Sequence, residues 1–251
     1  MSGGNRAKWD RFWQGPQVEA EATHRLSAAL IVAALRAEGW VRPRVLDLGC
    51  GAGRVVELLT EVGYRVVGAD LVAAPLAAAR RRLGPAAMLV QADAFRLGFA
   101  DACFDAVVSL GYASVGSYPG VQSELARVLR PGGLALIDYR HLGLYHLPVL
   151  PLRGRQLARA WRRGDVVVAG LGLRPNPAWA AAGFRLEAVR PFNTYPPLGA
   201  ALPPRRALAF ERHVGRHGAP LLARTALAAF RRGPAKRVAA AEPGSQAPLR
   251  V

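Results

Sequence analysis

Three glycines at alternate positions behind an aspartate carry the first chemical signal: Val45-Leu46-Asp47-Leu48-Gly49-Cys50-Gly51-Ala52-Gly53-Arg54. A strand running into Asp47, a turn through Gly49, Gly51 and Gly53, and a helix beyond leave backbone N–H groups unpaired at the helix start. Glycines there permit a sharp turn and the close approach of a ligand. The dinucleotide fingerprint G-x-G-x-x-G, counted from Gly49, would put its third glycine at Arg54, so it fails. The pattern is instead D-x-G-x-G-x-G, with a carboxylate two residues ahead of the first glycine. That carboxylate repels a pyrophosphate and suits a ligand bearing a cation or hydrogen-bond donors. S-adenosylmethionine offers an ammonium, a sulfonium and a ribose, and no phosphate. A second carboxylate, Asp70, lies 21 residues after Gly49, the distance at which a strand-end acid accepts from ribose hydroxyls. Dinucleotide folds use that position too. Asp93, in Gln91-Ala92-Asp93-Ala94, is placed to accept from the exocyclic amine of adenine, and Ser109-Leu110 closes the next strand facing the methyl donor.

These residues need strands to hold them. The spacing of apolar residues predicts a helix over 22–38, then strands at 45–48, 64–69, 87–90, 104–109 and 134–139, with helices at 53–61, 74–83 and 121–129 between them. Pro131-Gly132-Gly133 is expected to stop the last of those helices. Short apolar strands alternating with helices argue for a parallel sheet covered on both faces. In such α/β sheets ligands sit at the carboxyl ends of the strands. Later, Asn176-Pro177 reads as a helix cap with proline at the first helical position. Strands are expected over 184–189 and 223–230, and Arg155, Arg159 and Arg162 share a face of a short helix.

The stretch from Arg44 to Tyr139 resembles, in order and spacing, the class I S-adenosylmethionine-dependent methyltransferases of small-molecule type. VLDLGCGAGR is similar to the family's first motif, VVGAD to its second, and QADAFRLGFADACFDAVVS and ELARVLRPGGLALID to those that follow. The resemblance implies a doubly wound, mostly parallel, seven-stranded Rossmann-like sheet with one antiparallel strand and helices on both faces. It implies S-adenosylmethionine as cofactor, with Asp47, Gly49, Cys50, Gly51 and Gly53 at its methionine portion. Asp70 and Leu71 fall at the ribose, Asp93 and Ala94 at the adenine, and Ser109 and Leu110 at the sulfonium. Trp9, Phe12 and Trp13 resemble the family's aromatic N-terminal cover. Leu97-Gly98-Phe99 departs from a commoner Leu-Pro-Phe, which costs loop rigidity. The Asp/Asn-Pro-Pro-aromatic motif of base-amine methylation and a Pro-Cys dipeptide are both absent. His141, just after the fifth strand, is the candidate general base, with His146 and Tyr112 behind it.

The expected divisions are a cofactor-covering segment at 1–22, a binding core at 23–139, a lid over the acceptor at 140–175, the rest of the sheet at 176–232, and a flexible tail at 233–251. Two cysteines in 251 residues exclude a disulfide framework and a four-cysteine metal site, and no metal is expected. The opening residues lack a secretory apolar stretch. The longest apolar run, Leu26 to Leu35, is about half of the ~20 residues a membrane span needs, so a cytoplasmic protein without a transmembrane segment is expected. Residues 1–139 hold fifteen Lys+Arg against thirteen Asp+Glu, and residues 140–251 nineteen against four. The expected function is methyl transfer to a small, lipid-like or acidic acceptor. Two alternatives stay open: an RNA methyltransferase using the basic half, and a non-catalytic S-adenosylmethionine-binding scaffold. An anionic membrane surface is a further partner the basic half suits.

Overall fold

In the computed structural model the described residues are 21–110, 118, 120–142, 150–168, 171–192 and 225–234. The expected N-terminal cover, Tyr112, His146 and nearly all of the C-terminal tail lie outside them. The chain order is α1 (Glu21–Ala37), β1 (Arg44–Leu48), α2 (Arg54–Glu61), β2 (Arg65–Asp70), α3 (Ala73–Leu83), β3 (Met88–Gln91), β4 (Phe104–Ser109), α4 (Val121–Val128), β5 (Leu129–Leu142), α5 (Leu150–Arg163), β6 (Val166–Val168), β7 (Gly172–Leu173), α6 (Pro177–Ala181), β8 (Phe184–Phe192) and β9 (Thr225–Arg232).

Pairing builds a seven-stranded unit in the order β3-β2-β1-β4-β5-β9-β8, parallel except for β9, which runs against both β5 and β8. Alternation along the strands divides the side chains between two layers. Val45, Val66, Val108, Leu134 and Leu136 pack with Ile31 and Leu35 of α1, Val55 and Leu59 of α2, and Leu76 of α3. Leu46, Leu48, Val107, Ala135 and Ile137 pack with Val121, Leu125 and Val128 of α4 and Trp179 of α6. Trp179 stacks on Phe230 of β9 with ring centroids 4.0 Å apart, and Phe184 meets it edge-on at 5.0 Å. Each such buried side chain contributes about 1.5–3 kcal/mol.

Two features differ from the sequence expectation. β5 begins at Leu129, so Pro131-Gly132-Gly133 lies inside a strand; the register with β4 slips between Phe104 and Ala106 to absorb it. The helix has already ended by then, because Leu129 adopts extended backbone. Second, the region expected as a lid contributes the hairpin β6–β7. At Arg140, β5 pairs with Thr225 of β9 on one side and Val166 of β6 on the other. β4 pairs with β5 only as far as Ser109 opposite Ile137. β6 therefore takes the edge of β5 that β4 vacates, extending the sheet beyond its carboxyl end. His141, expected after β5, lies within it opposite Val167 and is 1% exposed. No helix among the described residues is long and apolar enough to cross a membrane.

Candidate functional site

Register brings the sequence-selected residues to one edge. Leu48 pairs with Ala69, so the glycine turn after β1 meets Asp70 at the end of β2, and Asp70 pairs with Gln91 of β3. Asp47 pairs with Val108, which sets Ser109 and Leu110 beside the same turn. The loop is fixed by main-chain bonds: the Gly49 and Cys50 N–H groups donate to the Ala69 carbonyl at 2.7 and 3.1 Å, and Gly53 N–H to the Cys50 carbonyl at 2.9 Å. Gly49, Gly51 and Gly53 all have left-handed φ, of 79°, 52° and 76°, a region costly to side-chain-bearing residues. At Gly53 an added Cβ would also press on Ala79 and Leu83 of α3 at 3.0 Å. At Gly49 it would meet nothing within 4 Å, so the first glycine opens onto space where a ligand can lie against the backbone. Arg82 of α3 donates to the Ala52 carbonyl and ties the loop from outside.

Asp70 locks the turn to its own strand end. One carboxylate oxygen accepts from Gly51 N–H at 2.9 Å and the other from Val72 N–H at 2.9 Å. Burial raises its pKa, opposed by the backbone N–H groups of Val72, Gly51 and Leu71. Each oxygen keeps a lone pair for a further donor. Asp47 is 2% exposed, and its Oδ2 is a buried acceptor with no hydrogen-bond partner. Burial first, and then the charge of Asp70, push its carboxyl from 3.8 to about 7. Two carboxylates beside one glycine turn, one of them with an unanswered oxygen, fit a ligand carrying positive charge and hydroxyl donors. They disfavour a diphosphate.

Cys50 is 8% exposed, and its sulfur would stand 3.0 Å from a Cβ at Gly68. Burial, then Asp47 and Asp70, hold its thiol well above the ordinary value, which favours the protonated form. The Leu71 carbonyl accepts from the Gln91 side chain at 2.9 Å. Asp93 accepts from Phe95 N–H at 3.0 Å, and Ala92 N–H donates to the Asp70 carbonyl at 2.9 Å, joining the ends of β2 and β3. Ala94 packs at the margin of the α4 layer. Ser109 is buried and Leu110 half-buried. His141 lies on β5, two strands away from the β1 turn, and pairs with Val167 of β6.

Gln91, Gly68, Glu124 and Arg127 were not singled out from sequence. Arg127 of α4 donates to Glu124 and Asp101 and to the carbonyls of Leu97 and Phe99, each at about 2.7 Å, while Glu124 accepts from Leu97 N–H at 2.6 Å. These contacts supply the rigidity that Gly98 in place of proline removes. The spacing Glu124-x-x-Arg127 ahead of the Pro-Gly-Gly turn was the available signal.

The fold and turn together define a doubly wound α/β sheet with a glycine turn at its carboxyl end. Residues 46–137 match a family model described as a methyltransferase domain. The 2-phytyl-1,4-naphtoquinone methyltransferase of Thermosynechococcus vestitus is 41% identical over 103 residues, 38% of this chain and 46% of its own length. The malonyl-[acyl-carrier protein] O-methyltransferase of Enterobacter lignolyticus is 37% identical over 142 residues, 56% of this chain and 52% of its own length. A crystal structure of a candidate sarcosine dimethylglycine methyltransferase from Galdieria sulphuraria superposes with a TM-score of 0.53 at 16% identity, covering 82% of this chain and 85% of that one, and shows the shared fold. The match to the methyltransferase-domain model lies over the β1–β5 part of the sheet, and the superposition shows the fold that the chain shares with the solved structure. The chain spans about half the length of the curated relatives it matches.

Proposed function

We propose that the chain is an S-adenosylmethionine-dependent methyltransferase acting on a small, lipid-like acceptor. The pair Asp47 and Asp70 at the glycine turn carries the reading, because the buried, unpartnered Oδ2 of Asp47 awaits a donor or cation. When bound, S-adenosylmethionine supplies a methyl group on a positively charged sulfur, and its departure requires no protonated leaving group. The chain's task is to hold, orient and exclude water. In this reading Gly49, Gly51 and Gly53, with the backbone of Cys50, receive the methionine portion beside Asp47. Asp70 uses its remaining lone pairs on the ribose hydroxyls. Leu71, Asp93 and Ala94 frame the adenine, and Ser109 and Leu110 border the sulfur. His141, buried opposite Val167, is assigned to packing and not to proton removal.

A phytyl chain in one relative's named substrate supports a lipid-like acceptor; the malonyl group in the other's favours an acidic one. Cys50 and Cys103 are both unpaired, which suits a reducing, cytoplasmic compartment. The test is transfer from methyl-labelled cofactor into a total extract separated into lipid, water-soluble acid and RNA fractions. The reading expects label in the lipid fraction. Label in RNA alone, or none anywhere, overturns it.

A further inference from the structure

The proposed methyl transfer leaves one surface unused, the outer face of α5. Arg155, Arg159 and Arg162 recur there about one turn apart and are all exposed, with Arg163 beside them. We propose that this face seats the protein on an anionic lipid surface, bringing a membrane-dissolved acceptor to the carboxyl end of the sheet. The proposal rests on the lipid-like acceptor argued above.

Three observations support it. The first is the charge balance. From Arg140 to Gly164 the sequence holds six arginines and no carboxylate. Several arginines elsewhere are answered: Arg54 by Glu57, Arg44 and Arg130 by Asp105, Arg127 by Glu124 and Asp101, Arg231 by Glu38 and Glu187. On α5 the ion pair within the described residues is Arg163 with Asp165 at 2.8 Å, and none takes Arg155, Arg159 or Arg162. Like charges at this spacing repel one another, so the row costs the helix unless an anion answers it.

The second is how the helix is mounted. Trp161 turns the other way and donates to the Gly172 carbonyl of β7 at 3.2 Å. Gly164, with φ at +77°, sits so close to the following segment that a Cβ would fall 2.5 Å from the Arg174 carbonyl and the Asn176 nitrogen. The end of α5 is thereby pinned beside Arg174, itself exposed. The helix leads into β6, which occupies the edge of β5 beyond the end of β4. The basic face and the donor site therefore share one end of the sheet.

The third is what the face lacks. Among the described residues of α5 the one aromatic side chain, Trp161, is engaged with the hairpin, so it offers no platform on which unpaired bases would stack. A row of guanidinium groups suits a diffuse anionic plane, where each contributes about 1 kcal/mol.

The experiment is sedimentation of the full chain with vesicles of phosphatidylcholine alone or mixed with phosphatidylglycerol, alongside calorimetry with S-adenosylhomocysteine. Binding is expected to the mixed vesicles only, weakening with salt. The triple variant R155Q/R159Q/R162Q is expected to partition about a hundredfold less, three arginines at that worth each, with its S-adenosylhomocysteine affinity unchanged. Equal binding to neutral vesicles, no binding to anionic ones, or an unaffected triple variant overturns the proposal. So does an RNA held through these arginines more tightly than the vesicles at the same salt. Loss of S-adenosylhomocysteine binding by the unaltered chain would instead overturn the methyltransferase reading, and the vesicle result would stand by itself.

Discussion

Asp47→Asn separates what the site needs from what the fold prefers. The unfolded chain ionises this carboxyl near 3.8, and the folded chain near 7. Below pH ~3 both forms are protonated, and the group costs the fold nothing. As pH rises from there, the unfolded chain loses the proton first, so stability falls until the folded carboxyl also ionises, near 7. A rise of that size corresponds to about 4 kcal/mol at pH 8, on a side chain almost wholly removed from solvent. Asparagine carries no charge at any of these pH values. In chemical denaturation without ligand, the variant should match the unaltered chain near pH 3 and exceed it by about 2–4 kcal/mol at pH 8. Calorimetry should show the reverse preference for the ligand: S-adenosylhomocysteine affinity rising between pH 6 and pH 8 in the unaltered chain, and weaker by about 1.5–3 kcal/mol and flat in the variant. A variant equally stabilised or destabilised at both ends of the pH range would refute the reasoning, because burial of charge could then not be the cause.

Asp70→Ala should weaken S-adenosylhomocysteine binding by about 1.5–3 kcal/mol in calorimetry and also lower the denaturation midpoint, since Gly51 and Val72 N–H both lose their acceptor. Gly68→Ala should destabilise by about 1–3 kcal/mol without abolishing ligand binding, because its Cβ would meet Leu89, Val56 and Cys50 at 2.8–3.0 Å; denaturant titration reads it. Arg127→Met should release the 97–101 loop, seen as faster amide exchange confined to those residues, with a stability loss of about 1–2 kcal/mol given the half-exposed side chain.

Much of the core was legible because its elements are long and strongly patterned. Phe104–Ser109 and Pro177, capped by Asn176 through its side chain to Ala178 N–H at 2.9 Å, stand where the sequence places them. The glycine turn was legible for a different reason: three left-handed backbone positions admit few residues other than glycine. What stayed hidden is tertiary. Val166–Val168 spans three residues, too short to announce a strand, and becomes one only because β4 ends and leaves an edge of β5 open. The Pro-Gly-Gly stretch reads as a stop and is tolerated inside β5 by a local register slip. His141 looked like a loop residue because the length of β5 depends on that same hairpin. Gln91 and Arg127 work through carbonyls contributed by distant segments, which local spacing does not reveal.

In the proposed function the turn between β1 and α2 receives a positively charged sulfur nucleoside and not a dinucleotide. A calorimetric titration of the full chain with S-adenosylmethionine and, separately, with NAD tests this. Saturable binding of S-adenosylmethionine with no heat from NAD is the predicted result; binding of NAD with S-adenosylmethionine ignored would contradict it.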